Sequence, residues 1–156
     1  MIKKFPSMYL TADTVVFDLT DAQDIRVLFI QRNNEPFKNQ WALPGGFFDL
    51  ADHDIQAAAQ RELQEETSLK FSIEEFHFIG LYTKKNRDPR ENNPEDPCRI
   101  CSAAFYLKID RLSQNPSAAD DAKSVQFFSI NQLPPLAFDH AQIVTDAISH
   151  LKKKTR

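Results

Sequence analysis

The chain has 156 residues, 42% of them apolar and 26% charged, which is enough for one globular core and ordinary for a soluble protein. A formal net charge of −3 lacks the basic excess that a non-specific nucleic-acid binder uses to neutralise phosphates. No apolar run approaches the roughly 18 residues of a membrane helix, and MIKKFPSMYL is too short an apolar stretch for a signal peptide; the expectation is a cytoplasmic protein, residues 1–156 forming a single domain with no membrane contact.

Tyr9 to Leu19 and Arg26 to Arg32 are β-branched and apolar, and predict two strands separated by an acidic turn over Thr20 to Asp24 that reads as a hairpin or short connection. A polar loop, Asn33 to Lys38, follows. Trp41 is expected to pack in the core. The next segment, Pro44-Gly45-Gly46, holds two of the three glycines in the chain, and so predicts a special turn.

Asp54 then stands as N-cap of a helix predicted over 55–67. At 100° per residue, Ile55, Ala59 and Leu63 form its apolar side and Gln56, Gln60 and Gln64 a stripe expected to face water. Glu62 and Glu66 fall within about 20° of Ile55, and Glu65 lies nearby, so three carboxylates share an arc that points partly inward. Like charges withdrawn from water raise their pKa values or recruit a cation, and magnesium is the hard cation that suits carboxylate oxygens. Arg61, one turn before Glu65, can pair with that acid. A solvated acidic face with an ordinary Arg–Glu pair fits the same pattern.

Phe76 to Lys85 and Arg99 to Ile109 read as strands whose dense apolar content predicts central places in a sheet. Between them, residues 86–97 carry three prolines and alternating charge, and predict a mobile loop. Its Arg87 and Arg90 are either grips for phosphate or carboxylate groups, or members of a solvated loop. Cys98 and Cys101 are the only cysteines; without a second ligand pair they read as reduced, packed thiols rather than a zinc or redox site.

The polar segment Ser113 to Lys123 precedes a strand at Val125 to Ile130, and Pro134-Pro135 breaks the chain before a last helix over 140–152. Asp139 and Gln142 predict a capping box for that helix, Ile143, Val144, Ala147, Ile148 and Leu151 make its apolar stripe, and the basic tail Lys152 to Arg156 is expected to be solvated. Strands on both sides of one helix, with another helix at the end, imply an α/β layered domain with a mixed sheet.

Gly46, Arg61-Glu62-Leu63 and Glu65-Glu66 together resemble the Nudix box, in which a glycine and an acid precede R-E-aliphatic-x-E-E-x-G. Two positions depart from that pattern. The spacing from Gly46 to Arg61 is one residue longer than the family's, so Asp52, His53 and Asp54 compete for the first acid, and Ser68 stands in place of the last glycine. If the helix ends in a left-handed residue, that serine costs about 1 kcal/mol. Thr11-Ala12-Asp13, Arg32, the run Asn34 to Lys38, Trp41 to Phe47, Arg87-Asp88-Pro89-Arg90, Asp120-Asp121-Ala122 and Leu136-Ala137-Phe138-Asp139-His140 extend the resemblance to the ADP-ribose pyrophosphatase-like branch. The stretch Glu91 to Pro97 is longer than that branch's usual connection and is expected to alter how substrate is covered.

The resemblance implies an α-β-α sandwich around a central mixed sheet, with the catalytic motif on a loop-helix-loop. It implies magnesium-dependent hydrolysis of a nucleoside diphosphate derivative, most simply ADP-ribose to AMP and ribose 5-phosphate, with manganese as an alternative ion. Glu62, Glu65 and Glu66 are then the metal ligands, and Glu62, Glu65 and Arg61 the catalytic group. Arg32, Arg87, Arg90, Gly45 and Gly46 bind substrate, while Asp88 shapes its loop. Glu62, Glu91, Asp120 and Asp121 compete for the role of general base. Other nucleotide derivatives as substrates, and a non-catalytic ADP-ribose sensor, stay open. The short stretch after LAFDH gives the expectation that the DNA-binding half of the branch's repressors is absent, and a homodimer is compatible with the resemblance although no exposed apolar element marks an interface.

Overall fold

The computed structural model describes residues 5–109 and 114–154; Met1 to Lys4, Ser113 and Arg156, which figure in the readings of the N-terminus, the polar segment and the basic tail, lie outside the described residues. Among these, the strands are β1 (Ser7–Asp18), β2 (Arg26–Arg32), β3 (Trp41–Ala42), β4 (Gly45–Phe47), β5 (His77–Tyr82), β6 (Cys98–Ile109) and β7 (Ala122–Ser129), and the helices α1 (Ile55–Thr67) and α2 (His140–Lys154). The strands form one mixed sheet of order β3-β2-β1-β6-β5, with β4 added to β1 and β7 to β2. β1 runs parallel to β6 and the other pairings are antiparallel.

Alternation along the central strands sorts side chains into two cores. Ala12 and Val16 of β1 join Ala103, Phe105 and Leu107 of β6 against Ala58, Ala59 and Leu63 of α1. Val15 and Phe17 join Ala104 and Tyr106 against Ile143, Val144 and Ala147 of α2 on the other face. A layer on each side of the sheet is therefore fixed by period-two burial meeting two period-3.6 stripes. Each fully buried Leu or Ile in those stripes contributes about 1.5–3 kcal/mol. Trp41 packs half-buried at the edge of the second core, its ring 4.9 Å from that of Phe128. No helix among the described residues is long and apolar enough to cross a membrane.

Three expectations are corrected here. β5 is an edge strand, not a central one: it pairs only with β6 and leaves Phe78 and Leu81 exposed, so apolar density alone misplaced it. The glutamines of α1 do not all face water. Gln56 donates to the carbonyls of Ile73 and Phe76, and Gln60 to that of Phe71, pinning the segment that leads into β5; only Gln64 is exposed. Asp139 and Gln142 form no capping box, because Asp139 is bonded to Arg87 and Gln142 to Asp146.

The ends of α1 follow the local chemistry. The Asp54 carboxylate accepts the Ala57 amide at 2.8 Å, as an N-cap does. At the other end the carbonyls of Glu66 and Thr67 accept from the Ala119 and Ser117 amides, so the polar segment before β7 satisfies the helix terminus. Ser68 closes the helix in the left-handed region at φ 62°. Ser68→Gly removes that strain and is expected to stabilise the protein by about 0.5–1 kcal/mol, read as a rise of roughly 2 °C in Tm.

Candidate active site

The chain changes partners at one place, and the cleft lies there. β1 pairs with β2 at Phe17 and Asp18 but with β4 at Thr11, Ala12 and Asp13. Residues 41–47 cross from β2, where Trp41 pairs with Gln31, to β1, where Gly45 faces Asp13. This crossing lays Gly45 and Gly46 directly beneath the acids of α1.

The two glycines are required for a different reason from the one their sequence suggests. Neither has a positive φ. A Cβ on Gly45 would stand 2.3 Å from the Ala12 carbonyl oxygen, and one on Gly46 2.4 Å from Glu62 Oε1. The missing side chains let the helix carboxylates and β1 approach the backbone.

Glu66 is buried, with Oε2 accepting the Gly45 amide at 2.9 Å. Burial, and then the neighbouring charges of Glu62 and Asp13, push its carboxyl up to about 8 against the opposing Gly45 bond and Arg32. Glu62, half-buried, is also raised, mainly by burial, with Glu65 and Asp52 adding to it and Arg61 opposing. Glu65 is exposed and is not on the cleft wall; it accepts from Arg61 at 3.1 Å. Arg61 ties these groups together. It grips Asp52 with two bonds of 2.7 and 2.8 Å, donates to Glu62 at 2.8 Å and reaches the Phe47 carbonyl.

Of the three residues competing for the front of the motif, Asp52 therefore holds Arg61, Asp54 caps the helix and His53 stays exposed. The Arg61 bonds are the main cause that lowers the Asp52 pKa, and the same bonds hold Arg61 well above the usual guanidinium range.

The opposite wall is cationic. Arg32 and Arg90, with Arg87, line the same cleft of about 290 Å³ as Glu62, Glu66, Gly45 and Gly46. Arg90 is held by two oxygens of Asp88, and the Arg87 guanidinium makes two bonds to Asp139 at 2.8 and 2.6 Å. Residues 86–97 form an anchored segment, not the free loop expected. A 3-10 turn spans Pro89–Asn92, and the buried Glu91 accepts from the Asn86 and Ile100 amides, its oxygens turned to the loop and β6. Of the competing loop acids Asp121 lines the cleft, while Glu91 and Asp120 do not. The extended stretch contributes Asn93 and Asp96 to an adjoining apolar pocket that shares Phe47 and Arg90 with the cleft.

Sequence reasoning passed over a buried chain under the cleft floor. His140 Nδ1 accepts the Leu43 amide at 2.9 Å, so its other nitrogen carries the proton and faces Asp13 at 3.5 Å, and Asp13 in turn accepts from Ser102. Burial depresses the His140 pKa and keeps the ring neutral. Asp13 and His140 stood within recognised stretches, but no local spacing could pair them.

Among the described residues no three His, Cys, Asp or Glu side chains stand together as a ready-made metal cage. The donor set nevertheless fits a hard divalent cation that takes two carboxylates and completes its shell with phosphate oxygens. Glu62 and Glu66 are under-compensated in the bare protein, and a cation relieves both. Cys98 and Cys101 are free thiols.

The metal-free protein should consequently lose stability with rising pH. Between the ordinary glutamate pKa of the unfolded chain and about 8, the folded state holds a proton on Glu66 that the unfolded state has released, so unfolding becomes easier as pH rises through that window. His140 acts in the opposite sense only below its unfolded value, which confines the clean test to pH 6.5–8. In chelator, Tm should fall across that range, the fall should shrink in Glu66→Gln, and a divalent cation should restore the loss at pH 8.

A family description, NUDIX domain, matches residues 10–147. An ADP-ribose pyrophosphatase of Methanocaldococcus jannaschii is 37% identical over 145 residues, covering 93% of this chain and 78% of that protein. The ADPR responsive transcriptional repressor NtrR of Acinetobacter baylyi is 30% identical over 156 residues, and this chain spans 58% of its length. Among solved structures, the NUDIX domain of Shewanella oneidensis NrtR, in a cocrystal with ADP ribose, superposes with a TM-score of 0.81 at 27% identity, over 94% of this chain and 90% of that one.

Proposed function

Because the chain belongs to the Nudix family, we propose that it hydrolyses the diphosphate of a nucleoside diphosphate linked to another group, with ADP-ribose as substrate and AMP and ribose 5-phosphate as products. One observation carries the reading. Two under-compensated carboxylates, the buried Glu66 and the half-buried Glu62, face a wall of arginines across a single cleft, and a metal-bound diphosphate has the charge pattern that completes both walls. The 37% identity to an ADP-ribose pyrophosphatase favours ADP-ribose over other nucleotide derivatives.

Glu62 and Glu66 would hold magnesium, or manganese in its place, with Glu65 at the rim as a further ligand. When bound, the ion neutralises diphosphate charge and makes water a better nucleophile. The protein's own part is placement. Arg61, fixed by Asp52, sets the rotamers of Glu62 and Glu65. Gly45 and Gly46 let β1 and Glu62 close against the backbone beneath the phosphates, which Arg32 and Arg90 would bind; Arg87 supports that wall through Asp139. In hydrolysis water forms a new bond to phosphorus, the bridging P–O bond breaks, and the water's proton passes to a carboxylate, for which Glu62 and Asp121 line the cleft.

The test is a panel of ADP-ribose, NADH, a dinucleoside polyphosphate and a sugar nucleotide at equal concentration with magnesium. The highest kcat/KM is expected for ADP-ribose. A higher value for another member reassigns the substrate and keeps the chemistry.

A further inference from the structure

Four groups cross the cationic wall in alternation: the Phe47 ring, the Arg90 guanidinium, the Phe138 ring and the Arg32 guanidinium. Arg90 lies 4.8 Å from the Phe47 centroid and 5.8 Å from that of Phe138, and Arg32 lies 5.0 Å from Phe138. All four line the cleft.

Phe138 is placed there against its own backbone preference. Its φ is 53°, in the left-handed region that costs a residue with a side chain about 1–2 kcal/mol. Anchors on either side enforce it: the Ala137 amide donates to the Trp41 carbonyl, Asp139 is bonded to Arg87, and His140 accepts the Leu43 amide. The kink aims the ring into the cleft, where Phe37 meets it edge-on at 4.8 Å. Strain held in place by three neighbouring contacts points to a use for the ring.

The cation on one side of it makes no salt bridge among the described residues, and the carboxylates of Glu66, Asp88 and Asp121 act on it only through their field. Arg32 is half-buried and donates from Nε to the Pro36 carbonyl at 2.7 Å; among the described residues its terminal nitrogens donate to no protein acceptor and no carboxylate pairs with it. Burial and then the charge of Arg90 depress its pKa. Arg90 already has Asp88 as its partner, so the group that both guanidinium groups share is the electron-rich ring of Phe138.

We propose that Phe138 is a positioning residue whose ring faces hold Arg32 and Arg90 as a paired clamp for the substrate's diphosphate. The proposal rests on the diphosphate reading of the cleft and adds to it the group that spaces the two arginines. The ring works through its π face, so shape alone does not replace it: leucine fills space without a quadrupole, whereas tyrosine keeps one.

The experiment is calorimetric binding of α,β-methylene ADP, whose P–C–P bridge cannot be hydrolysed, in the presence of magnesium, to the wild-type chain and to Phe138→Leu and Phe138→Tyr. Both variants keep a side chain on the strained backbone, and unchanged thermal melting verifies that they fold. Phe138→Leu is expected to bind about tenfold more weakly and Phe138→Tyr within threefold of wild type, with adenosine affinity equal in all three. Equal affinity of Leu, Tyr and wild type for the diphosphate overturns the clamp, as does equal weakening of both variants. A parallel loss of adenosine binding overturns it in favour of a base platform. A wild-type chain that binds no α,β-methylene ADP also overturns it; one that binds but does not cleave ADP-ribose overturns only the proposed activity.

Discussion

Glu66→Gln should reduce ADP-ribose turnover by about a hundredfold or more while leaving the fold intact. The substitution keeps volume and the acceptor for the Gly45 amide, so the packing of α1 over β4 has no reason to change. What it removes is a carboxylate that burial holds ready for a cation, and with it a large part of the affinity for the metal. Glu65→Gln should be milder, because Glu65 is exposed and off the cleft wall. Steady-state kinetics over a magnesium titration separates the effects: a defect in Glu66→Gln that excess magnesium partly repairs is a metal-affinity defect, whereas activity equal to wild type contradicts the assignment.

Arg87→Ala is expected to cost about 2–4 kcal/mol and to lower Tm by roughly 6–12 °C. The Arg87 side chain is 3% exposed and joins the loop after β5 to the segment before α2, and its removal leaves the Asp139 carboxylate, only 24% exposed, without its partner. Removing both charges should cost less than removing one. The double variant Arg87→Met, Asp139→Leu is therefore predicted to melt above Arg87→Ala, as measured by denaturant unfolding of each. If Arg87→Ala melts with wild type, the pair does not hold the cationic wall in place.

The sequence disclosed most where periodicity and local chemistry act together. α1 runs over the predicted residues because a capping aspartate, an alanine-rich run and an inward arc of acids all specify the same helix, and β2 likewise matches its β-branched run. The inward arc also carried Glu62 and Glu66 into the cleft. Legibility ended where long-range partners decide. β5 has the apolar content of a central strand yet closes the sheet at an edge, since content does not reveal whether a further strand follows. Gln56 and Gln60 look solvated until the carbonyls of the segment entering β5 are known. Gly45 and Gly46 signal a turn, although their use is to admit Glu62 and the Ala12 carbonyl, a contact no sequence window contains. The polarity of the Asp13–His140 contact and the approach of two arginines to the Phe138 ring depend on separate stretches meeting near the point where β1 changes partners.

The extended stretch after Arg90 illustrates the same limit from the other side. Its charge and prolines suggested a free loop, but a buried glutamate bonded to the Ile100 amide and a 3-10 turn anchor it, and it lines the pocket adjoining the cleft. Loop composition reports what a segment can solvate, not what it is tied to.

With a metal ion held by Glu62 and Glu66, this chain is expected to cleave between the two phosphates of ADP-ribose. Phosphorus NMR of ADP-ribose incubated with the protein and magnesium tests it most directly. The two diphosphate resonances should give way to two monoester resonances, those of AMP and ribose 5-phosphate, and chelator should stop the change. Diphosphate resonances that broaden on binding but persist would contradict the claim and identify a chain that binds ADP-ribose without cutting it.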